Sequence, residues 1–295
     1  MSLYSDLRER FAAGVKLAFP DRGDEKYMHV SDIAACPTYA MARILGEPML
    51  EPSPYQRVMW RQGLAMEETL VAAVRAAIAD ENTRVQQDKL LWVSLDANGA
   101  PIGGELSLAA YLRGTLLNVE GTSFAELPDV IFIGHPDAIA RRGDEGLLLE
   151  TKSERFAWEK NDVDQSWMAV QPEKPRDKYF VQGPTYAFAA KIKRFVFGVG
   201  DRVSGGVQWY PTDGSDGYDT DEHLKPLLPK MANLIDLYRK KEIPKPVPPA
   251  WGWEAVKTEF GVQLRNIECA RCPYAGCIKN TNPARLNAQK TETVK

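Results

Sequence analysis

The sequence predicts an α/β (α+β) fold in which helices flank a mixed central sheet, and three observations carry that prediction. IFIGHPDAIA (131–140) and GLLLETK (146–152) are apolar runs rich in Ile, Leu and Phe, joined by the turn signal RRGDEG, and together they read as a β-hairpin. Helical patterning runs from about Tyr55 to Asp80 before that hairpin, and YFVQGPTYAFAAKI (179–192) is helical in composition after it. RFVFGVG (194–200) then reads as a further strand. The order helix, hairpin, helix, strand puts helices around a mixed sheet.

Along the chain, residues 1–20 read as an amphipathic helix, and Ser31 is placed to cap DIAACPTYAMARIL, which ends at Gly46. EPMLEPSP (47–54) is a linker ahead of the long helix, and VQQDKLLWVSL (85–95) reads as one strand. Residues 96–128 contain Gly-rich pieces and read as an insertion. FAWEKNDVDQSWMAVQPEKPRDK (156–178) reads as a polar connection. TDGSDGYDTDEH (212–223) is an acidic loop whose aspartates do not fit a calcium-loop spacing. LKPLLPKMANLIDLYRKKEI reads as a helix, KPVPPAW as a linker, and a polar tail follows about Asn280.

A hydrophobic content of 44% and a charged content of 26% are those of an ordinary globular chain. The formal charge of −3 excludes a global basic field, so a polyanion partner has to be held by a local groove. MSLYSDLRERFAAGVKLAF carries charges too early for a secretory signal, and no apolar run approaches the roughly 18 residues of a membrane span. The expected location is cytoplasmic, with no membrane partner. In that compartment the four cysteines point to metal or cluster binding rather than to disulfides.

The hairpin carries charges that its apolar context does not explain. A turn centred between Gly143 and Asp144 puts Asp137 across from Glu150, and His135 opposite Lys152. Glu150 and Lys152 are two apart and project from one face, with Thr151 on the other. Carboxylates at cross-strand distance repel unless a cation lies between them. A divalent metal with oxygen ligands meets that need; a surface hairpin with a cross-strand Glu–Lys pair is the plainer alternative, which the flanking IFIG and LLL disfavour.

A third acid lies upstream. Trp60, Leu64, Glu67, Val71, Val74 and Ile78 form one helical stripe, which Met66, Leu70 and Ala77 widen on one side. Glu68 points outward. An acid on a core-facing stripe is either a buried ion-pair partner or a metal ligand.

These residues resemble the PD-(D/E)XK nuclease superfamily. The resemblance rests on Gly63-x-x-x-Glu67, on Asp137, on Glu150-Thr151-Lys152 at the end of an apolar strand, and on Gln182-x-x-x-Tyr186. Cys269, Cys272 and Cys277 make C-x2-C-x4-C, and with the upstream Cys36 they are similar to the RecB-like iron–sulfur exonucleases. That branch includes CRISPR-adaptation exonucleases, their phage relatives and nuclease domains of helicase–nuclease complexes. The resemblance spans motif islands from Ser31 to Cys277; residues 96–128 and 200–222 have no clear counterpart.

The resemblance implies a restriction-endonuclease-like core in a single nuclease domain, residues 1–280. An iron–sulfur segment would form from 31–45 and 266–280, its C-terminal part packed on the helix that carries Cys36, with 281–295 a polar tail. Asp137 and Glu150 would bind Mg2+ or Mn2+, with Glu67 completing the site. Lys152 would orient or activate the attacking water, and Gln182 and Tyr186 would support the site and contact DNA. Cys36, Cys269, Cys272 and Cys277 would ligate a [4Fe–4S] cluster.

Two departures from the family pattern stand out. Glu67 takes a position that is often histidine. Pro184 is tolerated only near a helix start, which leaves open whether Gln182 shares a face with Tyr186.

Four thiolates by themselves suit tetrahedral zinc as well as a cluster. The implied activity is phosphodiester hydrolysis by a Mg/Mn-dependent deoxyribonuclease, an exonuclease on single-stranded DNA or DNA ends. The expected partners are DNA and either a second copy of the chain or a recombination or CRISPR-adaptation protein. KPRDK (174–178), KIKR (191–194) and RKK (239–241) are either solvated faces or DNA contacts. Tyr179, Phe180 and Trp209 are either base-stacking platforms or core residues, Phe180 fitting the core better. The alternatives are a non-catalytic DNA-binding or assembly subunit with the same fold, and a zinc-stabilised structural protein.

Overall fold

A computed structural model describes residues 28–49, 54–87, 89–106, 128–154, 156–160, 167–170, 174–244, 253–258 and 261–266. The chain opens with β1 (Met28–His29), a 3₁₀ turn, α1 (Pro37–Ile44) and the long α2 (Pro54–Ile78). β2 (Thr83–Gln86), β3 (Leu90–Leu95), β4 (Pro101–Leu106), β5 (Phe132–Gly134), β6 (Ala138–Arg142) and β7 (Glu145–Glu154) follow. Next come β8 (Ala157–Lys160), β9 (Trp167–Val170), a 3₁₀ turn at Asp177–Val181, α3 (Gln182–Ala189) and β10 (Arg194–Asp201). The last elements are β11 (Val207–Tyr210), β12 (Tyr218–Asp219), α4 (Thr220–Leu224), α5 (Leu228–Lys240), β13 (Trp253–Thr258) and β14 (Gly261–Asn266).

The architecture is mixed α+β with two mixed sheets. The larger runs β11-β10-β7-β6-β2, with β12 also on β10; β10 is parallel to β7 and the other pairs are antiparallel. The smaller runs β1-β5-β3-β4, parallel only at β1–β5. β8–β9 and β13–β14 are separate two-stranded ladders. Among the described residues, no helix is long and apolar enough to cross a membrane.

The β6–β7 hairpin has the register that its sequence predicts. Ala138 pairs with Leu149, Ala140 with Leu147 and Arg142 with Glu145, closed by a turn at Gly143–Asp144. Gly143 has φ +57, a left-handed conformation that glycine adopts without steric cost. Alternation along β7 then divides its side chains between two cores. Leu147 and Leu149 lie under α2 with Val71, Val74, Ala138 and Ala140. Leu148 lies in the main core with Ile139, Tyr186, Phe195, Phe197 and Val199. Glu150, Lys152 and Glu154 share the side of Leu148, while Thr151 and Ser153 share that of Leu149.

Several expectations are corrected. The segment 85–95 is not one strand: β2 ends at Gln86 in the larger sheet and β3 starts at Leu90 in the smaller. Residues 101–106 of the supposed insertion form β4, which pairs with β3 through an Asp96-capped turn. The supposed polar connection 156–178 contains β8 and β9, an antiparallel pair whose Trp158, Trp167 and Val170 have high β propensity. The helix expected after Ser31 starts instead at Pro37, since proline fits only a first turn; Cys36 is its N-cap residue. The acidic loop ends at Gly217, and Asp219 then caps α4 by accepting from the Asp221 and Glu222 amides. The N-terminal amphipathic helix, the 245–251 linker, the cysteine-bearing part of the 266–280 segment and the 281–295 tail lie outside the described residues.

Candidate active site

The site forms where the two sheets part. β5 belongs to the smaller sheet and β6 to the larger, so His135, Pro136 and Asp137 make the crossover between them. His135 therefore leaves the ladder and is exposed, rather than facing Lys152. Asp137 stands just beyond the last β6–β7 pair. Its Oδ2 accepts from the Thr151 amide at 2.6 Å and the Thr151 hydroxyl at 2.9 Å, which fixes the carboxylate across the opening of the hairpin.

Glu150 and Lys152 meet it from the core side of β7. Lys152 Nζ lies 2.8 Å from Glu150 Oε2 and 3.8 Å from Asp137 Oδ2, so one ammonium stands between two carboxylates. Glu150 is 1% exposed, and its Oε1 is buried with no hydrogen-bond partner among the described residues. Burial pushes its carboxyl up to about 8; Lys152 opposes that rise, and Asp137 and Glu67 add to it. Lys152 is raised too, which for a lysine keeps the charged form. Burial disfavours its charge, but Glu150, Asp137 and Glu67 outweigh burial and hold it above the ordinary lysine range.

Glu67 approaches from the opposite side of the sheet. A Cβ on Gly63 would lie 2.9 Å from Ser153 Oγ, so the glycine lets α2 settle on β7 one turn before Glu67. Glu67 is half-buried, and its charge is felt by both Glu150 and Lys152. Among the described residues no three His, Cys, Asp or Glu side chains form a ready coordination cage. On the stripe, Val71 and Val74 are buried as expected, whereas Trp60 is 57% exposed and Ala77 is exposed. The helix runs past the edge of the sheet that its middle covers.

Gln182 and Tyr186 lie on one face of α3, because Pro184 sits inside its first turn, where no backbone donor is lost. The Gln182 side chain hydrogen-bonds to the Tyr186 phenol, which burial and Glu150 together hold above the usual tyrosine range. The phenol passes so close to Gly134 that a Cβ there would collide with its ring and hydroxyl.

A second polar group adjoins the site and was not anticipated. Glu154, 5% exposed, accepts from the Tyr179 hydroxyl through Oε1 and from Arg176 Nε at 2.8 Å through Oε2. Its signal in the sequence is its place two residues after Lys152, on the same side of the strand. Tyr179 is thus a buried, anchored residue rather than a stacking platform, and Phe180 packs among Phe195, Phe197, Tyr218 and His223. Trp209 is 40% exposed, with its ring over Gly198.

The basic segments are largely ion-paired: Lys174 with Asp177, Arg176 with Glu154, Arg194 with Asp219, Arg239 with Asp129 and Lys240 with Asp236. A cleft of about 590 Å³ lined by Phe188, Lys191, Asp219 and Asp221 lies at the far end of α3 and shares no residue with the site. Cys36 is a half-buried free thiol, and Cys269, Cys272 and Cys277 lie outside the described residues.

No family model matches the chain, and no curated protein matches it. Among solved structures, the crystal structure of SSO0001 aligns over 96% of this chain and 98% of that one, at 11% identity and a TM-score of 0.42. A likeness of that degree carries neither fold family nor function, so the functional reading rests on the residues themselves.

Proposed function

We propose that the chain is a metal-dependent nuclease of the PD-(D/E)XK kind, hydrolysing phosphodiester bonds of DNA at Asp137, Glu150 and Lys152. One observation carries the reading: a carboxylate buried to 1% exposure keeps one oxygen without a partner among the described residues, beside a second carboxylate. A buried acid left so is costly, and a cation at that oxygen would offset the cost. The succession α2, antiparallel β2-β6-β7, α3 and a β10 parallel to β7 supports the same reading, with Glu67 on α2, Asp137 just before β6, Glu150 and Lys152 on β7, and Gln182 and Tyr186 on α3.

The donor set fits a hard divalent cation: Asp137 and Glu150 would hold it, with Glu67 as a further carboxylate. When bound, such an ion supplies charge neutralisation of the phosphate and a lower pKa for the attacking water. The chain's own groups do the rest. Thr151 fixes the Asp137 oxygen, so that acid needs little reorganisation. Lys152 Nζ, kept charged by its carboxylate neighbours, would turn its donors to a phosphate oxygen or to the water as Glu150 is drawn away. Gln182 and the buried Tyr186, hydrogen-bonded to each other, stand on the α3 side of Glu150. In the hydrolysis a water oxygen bonds to phosphorus, the P–O3′ bond breaks, and a proton ends on the departing 3′ oxygen. Incubation with a single-stranded oligonucleotide and Mn2+ tests this: wild type is expected to cut, and Asp137→Asn and Glu150→Gln to be inactive. Undiminished cutting by both variants would refute the assignment.

We propose further that Cys36, Cys269, Cys272 and Cys277 hold a [4Fe–4S] cluster, zinc being the alternative. Cys36 fits the role in being a half-buried free thiol at a helix start. Protein purified without oxygen is expected to be brown with broad absorbance near ~400 nm, colour that Cys36→Ala loses. Stoichiometric zinc without iron would overturn the cluster.

A further inference from the structure

Glu154, Tyr179 and Arg176 are not among the motif residues, yet they continue the site along β7. Glu150, Lys152 and Glu154 project from one side of the strand at two-residue steps, each step spanning about 6.7 Å. Lys152 and Arg176 both act on the Tyr179 phenol, so the two groups belong to one electrostatic neighbourhood. Both Glu154 oxygens are committed, one to that phenol and one to Arg176 Nε. The carboxylate therefore holds the guanidinium through Nε alone. The Arg176 side chain is nevertheless 58% exposed, and among the described residues only its Nε is hydrogen-bonded to the protein. Its terminal nitrogens face outward from a buried anchor, the arrangement that presents a fork to a phosphate.

We infer that Arg176, oriented by Glu154 and Tyr179, binds the backbone phosphate next to the scissile one. This rests on the nuclease reading and deepens it by naming how the substrate strand is held. A strand whose cleaved phosphate lies at Lys152 carries its neighbouring phosphate about one strand step away, at the level of Glu154. A surface arginine paired with a surface acid would be a weak and mobile contact. Here the acid is 5% exposed and doubly bonded, so the guanidinium is held in place before the substrate arrives. Arg176 is a binding residue, and Glu154 and Tyr179 position it.

The test uses full-length protein and single-stranded oligonucleotides carrying one neutral methylphosphonate linkage at each position in turn, with 5′-phosphate and 5′-hydroxyl versions. Affinity is read with Ca2+ present and cutting with Mn2+. For wild type, one neutral linkage beside the cut is expected to weaken binding about ten-fold. Arg176→Gln should weaken binding of the unmodified strand by a similar factor, lower the salt slope by about one, and show no added effect of that linkage. Arg176→Lys should restore the salt slope while recovering only part of the affinity. If Arg176→Gln remains as sensitive to the linkage as wild type, this inference fails and the nuclease reading stands. Sensitivity that follows the 5′-phosphate instead overturns the assignment to an internal phosphate. A wild type that neither binds nor cuts DNA overturns both.

Discussion

Lys152 Nζ donates to Glu150 Oε2 at 2.8 Å, while Glu150 Oε1 is buried with no partner among the described residues. Half of that carboxylate is satisfied by a neighbour on its own strand, and half is open. The pair explains why charges sit at the end of an otherwise apolar strand: each lowers the cost of burying the other, and the open acceptor is where the proposed cation would bind.

The raised Glu150 carboxyl makes cation binding depend on pH. With the group up at about 8, a proton must leave before the oxygen can ligate. Mn2+ affinity is therefore expected to rise about ten-fold per pH unit from 6 towards 8 and to level off above. The metal-free protein carries the opposite trend in stability. Its folded state keeps a proton that the unfolded chain gives up, so the Glu150 contribution falls as pH rises from the ordinary glutamate range to about 8. Calorimetric titration at several pH values checks the first point; an affinity constant from pH 6 to 8 would contradict it.

Asp201 closes the end of β10. It is fully buried; Oδ1 accepts from the Phe156 and Val203 amides, and Oδ2 from the Ser204 amide and hydroxyl. Burial alone would raise its pKa, but these donors, the Ser204 hydroxyl first, bring it below the usual aspartate value. A depressed acid contributes stability above its unfolded pKa, and that contribution is lost as pH falls through the folded one. Asp201→Asn is expected to cost about 1.5–3 kcal/mol at pH 7. In urea unfolding the gap between the two proteins should narrow towards pH 3.

How much of this was legible follows from the range of the interactions. The hairpin register could be read because RRGDEG fixes the turn and two-residue alternation fixes the faces. Glu67 could be placed on the core side of α2 from the stripe, but the exposure of Trp60 depends on where the sheet ends beneath the helix, which periodicity does not encode. Pro184 leaves the Gln182–Tyr186 face open in the sequence, and the helix settles it by starting at Gln182. The Glu154–Arg176–Tyr179 group joins residues 22 and 25 positions apart across β8 and β9, and no local pattern announces such a pairing. The split of residues 83–95 between two sheets is likewise a tertiary outcome of two short apolar runs.

Gly134 is a close-approach glycine. Gly134→Ala would drive its methyl into the buried Tyr186 ring, which has no room to yield beside Glu150. Overpacking of this kind costs about 1–3 kcal/mol. Thermal unfolding should show a midpoint several degrees lower, whereas Gly143→Asn, in the open hairpin turn, should change it little because asparagine tolerates positive φ.

Tyr179→Phe removes the hydroxyl that Glu154 Oε1 accepts and leaves that buried oxygen open. The expected loss is about 1–3 kcal/mol in stability. DNA affinity should fall as well, since Arg176 would then be held by a less constrained carboxylate. Unchanged affinity at equal folding would separate the phenol from the positioning of Arg176.

The most direct measurement is cleavage of end-labelled single-stranded DNA with Mn2+ or Mg2+, wild type beside Lys152→Ala, with circular dichroism and Mn2+ binding recorded on the same preparations. The account predicts that wild type cuts and that Lys152→Ala, folded and still binding the cation, is slower by at least about a hundred-fold. Equal cutting by the two proteins, or two folded and equally inert proteins, would contradict it.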